Sequence, residues 1–233
     1  MIVREGLPFI LIGLVVTIIL VLVAARWNSW VAFVFGLIAA LLTVFVAFFF
    51  RNPVRVVPDE ARVLVAPADG RIVAIDTLDS QQFIGGRAIK VSIFLSVFDV
   101  HINRIPTAGV IDYVKYNPGK FLAAYEDKAS DVNEQTEIGM TSRSGQRLVF
   151  KQIAGVIARR IVCRLEKKDT VSTGERFGMI RFGSRTDLIV PEGSKLLVME
   201  GQHVYGGETV MGYLSEAPVA RGTDDSKDSD VEL

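Results

Sequence analysis

The sequence predicts a mainly β protein held behind a pair of membrane-length helices. Three observations carry that expectation. Residues 6–25 and 30–50 are two uncharged, strongly apolar runs separated by four residues. From Pro53 onward, short β-branched runs alternate with Gly, Pro, Asn and Asp, the texture of a compact sheet-rich domain. Helical periodicity is poor over the same stretch, apart from a short candidate helix at 121–127.

Each apolar run is long enough to cross the hydrocarbon layer as a helix. The joint Arg26-Trp27-Asn28-Ser29 is too short to hold a domain, so the runs read as a helical hairpin. Trp27 and Trp30 suit a membrane–water interface. Arg4 flanks one end, and Arg51, Arg55 and Arg62 flank the other, while Arg26 alone sits in the turn. The positive-inside tendency then places both ends and the downstream domain in the cytoplasm. A cleaved signal peptide explains one run but not two. A hairpin that dips into one leaflet stays open.

The division expected is 1–52 membrane hairpin, 53–218 β-rich domain and 219–233 acidic disordered tail. Candidate strands are 62–66, 71–75, 88–95, 110–116, 148–153, 157–165, 195–199 and 209–213. The polar stretch 121–147 reads as a solvated excursion or as a flap near a site. Ala66-Pro67-Ala68-Asp69-Gly70-Arg71-Ile72 and Gly201-Gln202-His203-Val204-Tyr205-Gly206-Gly207-Glu208-Thr209-Val210 look like the halves of the small β-sandwich hybrids that hold lipoyl or biotin groups. The expected core is therefore a lipoyl-like β-sandwich hybrid, although no Met-Lys-Met tip for such a group is present.

Lys plus Arg and Asp plus Glu both number 26, which gives nucleic acid no electrostatic footprint to grip. A single cysteine, Cys163, rules out an intramolecular disulfide. Two histidines and no CxxC argue against a zinc site.

The chemistry gathers at Arg181-Phe182-Gly183-Ser184-Arg185-Thr186-Asp187. A serine after a glycine can attack the preceding carbonyl, because glycine leaves that carbon uncrowded and its backbone free to bend. Attack by Ser184 on Gly183 converts the amide to an ester, and β-elimination then leaves a dehydroalanine that hydrolyses to a pyruvoyl ketone. Such a step needs a base and a group that orients it. A Gly-Ser pair by itself is a turn. His101 follows the apolar run 94–98 within a cluster of Asp, His, Asn and Arg, and Asp69 ends another strand, although Asp-Gly alone reads as a hairpin turn. His203, between Gly-Gln and Val-Tyr, reads as structural or surface. One carboxylate, one imidazole and one Gly-Ser at strand ends can hold Ser–His–Asp roles.

On these residues the chain resembles the pyruvoyl-dependent phosphatidylserine decarboxylase proenzymes of the short bacterial type. The resemblance runs through Pro67-Ala68-Asp69-Gly70, Phe98-Asp99-Val100-His101-Ile102-Asn103-Arg104-Ile105-Pro106, Asn117-Pro118-Gly119-Lys120-Phe121 and the segment around Ser184. It implies self-cleavage between Gly183 and Ser184 into a β chain, 1–183, and an α chain, 184–233. Asp69 and a histidine would activate Ser184. The pyruvoyl group would form a Schiff base with phosphatidylserine, release CO2 and yield phosphatidylethanolamine at the inner membrane, with His101 as proton donor. Arg104 or Arg185 would hold the lipid phosphate or carboxylate. No metal is implied, and the oligomeric state stays open.

Two departures stand out. Long-form members carry His-x-x-His where this chain has His101 and Arg104, so His101 must fill both roles or one is delegated. Arg185 follows the serine, where the long forms have Ser or Thr. Two other readings remain at this point: a membrane-anchored binding protein without catalysis, and a pyruvoyl enzyme for a soluble amino acid.

Overall fold

A computed structural model describes residues 1–120, 132–155, 161–181 and 184–215. After a 3-10 turn at Arg4–Gly6 come α1 (Leu7–Trp27) and α2 (Trp30–Phe49). Pro8 sits in the first turn of α1, where its missing N–H costs nothing. Asn28 closes α1 in the left-handed region (φ 47°), and the Ser29 hydroxyl caps α2 by accepting from the Ala32 amide at 3.3 Å. At 1.5 Å per residue each helix is about 30 Å long, the thickness of a bilayer core. The two helices pack as a hairpin, with Gly13 against Thr43 so closely that a Cβ at Gly13 would collide with the threonine. The Thr43 hydroxyl donates to the Ala39 carbonyl at 2.7 Å, so it adds no unsatisfied group there.

The strands are β1 (Val63–Val65), β2 (Gly70–Gln81), β3 (Gly86–Leu95), β4 (Ile102–Arg104), β5 (Gly109–Asn117), β6 (Gln135–Ser142), β7 (Arg147–Ile153), β8 (Ile161–Cys163), β9 (Thr170–Val171), β10 (Arg176–Ile180), β11 (Ser184–Pro191), β12 (Lys195–Leu196), β13 (His203–Val204) and β14 (Val210–Tyr213). One sheet runs in the order β13-β2-β3-β11-β7-β6-β5-β9, and two three-stranded sheets, β1-β14-β12 and β4-β10-β8, complete the domain. All the named pairings are antiparallel. The core between the sheets holds Leu64, Ile93, Phe150, Phe177, Leu188 and Met211, with Phe150 and Phe177 meeting edge to face. The expected mainly β core behind two apolar helices is what the chain forms.

The excursion expected over 121–147 needs correction in its second half. Gln135–Ser142 is β6, paired on both sides within the large sheet. Its apolar residues Ile138 and Met140 enter the core, while Gln135 and Thr136 are polar yet buried. That mixture hides the strand from a hydropathy reading. The candidate helix at 121–127 and the tail at 219–233 lie outside the described residues.

A second apolar cluster joins the hairpin to the domain. Val3, Phe49 and Phe50 pack against Val100, Ile102 and Met179. Glu5 reinforces the joint from the polar side by ion pairs to Arg164 and Arg176. The loop between β3 and β4 is thus seated on the end of α2.

Candidate active site

The register of the large sheet brings the expected residues to one end of it. Ser184 opens β11 opposite Leu95, the last residue of β3. Arg71 of β2 stands opposite Phe94, and β13 lies beyond, with His203 opposite Arg71. Asp69, immediately before β2, therefore projects from the same end, two strand spacings or about 10 Å along the sheet from Ser184. Gly70 is required at this crossing: its φ is +153°, and a Cβ would collide with the Phe94 carbonyl.

Ser184 is fully buried, and its hydroxyl has no hydrogen-bond partner among the described residues. Strand alternation puts it on the same face as Thr186, Leu188 and Val190, the core face. Behind it runs a buried polar strip: Asn103 donates to the Thr186 hydroxyl at 3.1 Å, and Gln152 donates to the Asn103 carbonyl oxygen at 2.8 Å. A buried, unpartnered hydroxyl costs stability unless chemistry employs it. Gly183 lies outside the described residues.

His101 approaches from the second sheet. Ile180, the last residue of β10, donates its amide to the His101 carbonyl at 3.2 Å. That contact places His101 beside the strand that leads to Ser184 four residues later. Nδ1 of His101 lies 3.0 Å from the Asp99 carbonyl. A carbonyl only accepts, so Nδ1 carries the proton and the lone pair is left on Nε2. The ring rests on Phe49 with centroids 4.3 Å apart. Burial pushes the imidazole pKa down to about 4, against the raising effect of Asp99. His101 is therefore a neutral imidazole at physiological pH.

Asp69 is held by Arg55 and by the Gly206 amide at 2.8 Å. Burial pushes its pKa up, and the field of Arg55 opposes the rise. It hydrogen-bonds neither histidine among the described residues. Asp99 does that work instead. Its carbonyl meets His101, and its carboxylate meets Nε2 of His203 at 3.0 Å while accepting from the Ser96 amide and hydroxyl at 2.8 and 2.7 Å. His203, expected as structural or surface, thus shares a residue with His101. The remaining part of that turn, Tyr205-Gly206, lies under Arg55 and against Asp69.

The two arginines expected to meet the lipid both have protein partners. Arg185 is buried in an ion pair with Asp187, two residues on along the same face of β11, and also donates to Ser92. Arg104 donates to the Gly174 carbonyl at 3.0 Å, to the Asn52 side chain at 2.9 Å and to the Pro53 carbonyl at 3.3 Å. Sequence reasoning missed Arg55 and Arg51, reading both as flanking charges of the hairpin. Their position two and six residues beyond the end of α2, ahead of the Pro-Ala-Asp-Gly turn, is the one local signal. Among the described residues, no cluster of three or more His, Cys, Asp or Glu is placed to hold a metal.

Residues 42–212 match the family model of phosphatidylserine decarboxylase. The matched span takes in the last two turns of α2, Asp69, His101 and Ser184. The chain belongs to the phosphatidylserine decarboxylase family. It is 46% identical over 211 residues to the phosphatidylserine decarboxylase proenzyme of Desulfotalea psychrophila, covering 91% of this chain and 95% of the relative. The proenzyme of the same name from Symbiobacterium thermophilum is 44% identical over 213 residues, with 91% and 95% covered. That from Salinibacter ruber is 50% identical over 170 residues, with 72% and 75% covered. Family membership sets this end of the large sheet in a decarboxylase scaffold.

Proposed function

We propose that this chain is a membrane-anchored proenzyme that cuts itself between Gly183 and Ser184 and then decarboxylates phosphatidylserine to phosphatidylethanolamine. The observation that carries the reading is the Ser184 hydroxyl, buried and unpartnered at the head of a central strand, with a neutral imidazole held beside the strand that precedes it. Neutral His101, with its lone pair on Nε2, is suited to take the Ser184 proton as the oxygen attacks the Gly183 carbonyl. The acyl group moves from nitrogen to oxygen. Loss of the Ser184 α-proton then breaks the Cβ–O bond and releases residues 1–183 with a new carboxylate. Water replaces the nitrogen of the resulting dehydroalanine, which leaves as ammonia, and a pyruvoyl group remains at position 184. Asp69, with its raised pKa, is the second proton carrier near this end of the sheet.

The residues present fit such a group, since the buried Ser184 oxygen has no protein partner among the described residues and the neighbouring strand residue Thr186 belongs to a buried polar strip with Asn103 and Gln152. A pyruvoyl ketone supplies capture of a primary amine and a sink for the electrons left when CO2 departs. His101, as a neutral base, would first take a proton from the incoming substrate ammonium and then return it to the former α-carbon. The cut would not release the new chain, because β11 is hydrogen-bonded to β3 on one side and β7 on the other. The hairpin holds the site at the bilayer, where a diacyl lipid is concentrated. Arginines at 51, 55 and 62 favour the cytoplasmic face.

The test is a denaturing gel with intact mass, alongside CO2 release from phosphatidylserine and from free serine. Two chains, with release from the lipid alone, are expected. Ser184→Ala should stay uncut and inactive, and processing of that variant at this bond would remove Ser184 from its role.

A further inference from the structure

Arg51 stands two residues beyond the end of α2, which puts it near the lipid phosphates if α2 spans the bilayer. Its guanidinium lies 3.8 Å over the Phe48 ring and donates to two neutral acceptors, the Phe48 carbonyl at 2.9 Å and the Phe98 carbonyl at 2.7 Å. Among the described residues no carboxylate lies within ion-pair distance of it, and the carboxylates of Asp69 and Asp99 act on its charge only from further off. The neighbouring arginines differ. Arg55 is paired with Asp69 and Glu208, and Arg185 with Asp187. Arg104 is fixed by three neutral oxygens on the domain side.

Arg51 lies between the exposed Phe98 and the end of α2 that touches His101. Phe98 is 67% exposed and meets Phe45 of α2 edge-on at 6.5 Å, which makes an aromatic rim at the membrane surface. One helical turn on from Phe45, Phe49 rests on His101. The charge of Arg51 is felt at His101. A guanidinium with spare donors, neutral protein partners and a position between bilayer and imidazole is built to meet an external anion.

We propose that Arg51 binds the phosphodiester of the substrate lipid and so holds the headgroup with its serine end toward His101 and Ser184. This rests on the decarboxylase reading and adds the residue that recognises the phosphatidyl part. A phosphodiester anion is offered both by the substrate and by other phospholipids of the bilayer, so the experiment separates them.

The full chain, purified in neutral detergent, is assayed with short-chain phosphatidylserine and with its O-methyl phosphotriester, which keeps the serine but lacks the phosphate charge. Wild type should prefer the charged substrate in kcat/KM by about 10- to 100-fold, the range of a charge-assisted hydrogen bond. Arg51→Gln should lose most of that preference through KM, and Arg51→Lys should keep part of it. Both variants should self-cleave normally on a gel. An undiminished preference in Arg51→Gln, with only its binding to vesicles of anionic non-substrate lipid weakened, would overturn the proposal in favour of bulk-lipid contact. Failure of both variants to self-cleave would overturn it in favour of a maturation role. Wild type inactive on both lipids would instead sink the decarboxylase reading itself.

Discussion

Two acidic residues end up at the same end of the large sheet, and their surroundings set them apart. Asp69, in the turn before β2, is held by a buried arginine and one backbone amide, and burial still lifts its pKa. Asp99, in the loop after β3, is also penalised by burial, yet Ser96 and His203 outweigh that penalty and hold its carboxyl below the usual range. Local hydrogen bonds matched to a carboxylate thus achieve for Asp99 what an ion pair does not achieve for Asp69. The difference assigns them different work. On the proposed reading Asp69 exchanges a proton during maturation, whereas Asp99, its carboxyl held low, fixes the two imidazoles.

Substitutions that remove each carboxylate separate these roles. Asp69→Asn should slow self-cleavage by about 100-fold or more, the usual worth of a proton carrier, with uncut chain accumulating in a pulse-chase gel. Normal cleavage in that variant would break the distinction. Asp99→Asn should still mature but lose about tenfold in kcat, because the loop that aims His101 is loosened while its carbonyl remains. Uncut Asp99→Asn protein with Asp69→Asn processed normally would reverse the assignment.

A smaller effect sharpens the same picture through pH. The folded-state pKa of His101 is lowered to about 4 from an ordinary 6.5. A group whose folded pKa is depressed contributes stability above its unfolded value and loses it as pH falls toward the folded one. Unfolding measured between pH 7 and 4 should therefore show wild type losing on the order of 3 kcal/mol that His101→Gln does not lose. Parallel losses in both proteins would mean that His101 is not held neutral by burial.

Much of this architecture is legible in the sequence, and the unread parts have physical reasons. The hairpin is plain because an uncharged run of twenty residues has few other uses. Strands such as β3 and β7 announce themselves by β-branched and aromatic residues. β11 is harder to read, since Ser184-Arg185-Thr186-Asp187 looks solvated. Arg185 and Asp187 neutralise each other on one face, so seven of its eight residues are buried despite two charges. β10 is short and carries Gly178, whose missing side chain makes room for Gln152. At the site, Ser184, His101 and Asp69 stand out by motif. The bond from His203 to Asp99 spans 104 residues of chain and is visible only after folding. Arg51 and Arg55 read as topology charges because a basic residue beside an apolar run has that commoner use.

The most direct test is the intact mass of active wild-type protein purified from membranes, with and without a hydrazine that captures ketones. A break between 183 and 184 is expected, with the shorter chain lacking an amino terminus and gaining one hydrazine. Decarboxylation of phosphatidylserine by a single uncut chain, unlabelled and with serine intact at 184, would contradict the account at its root.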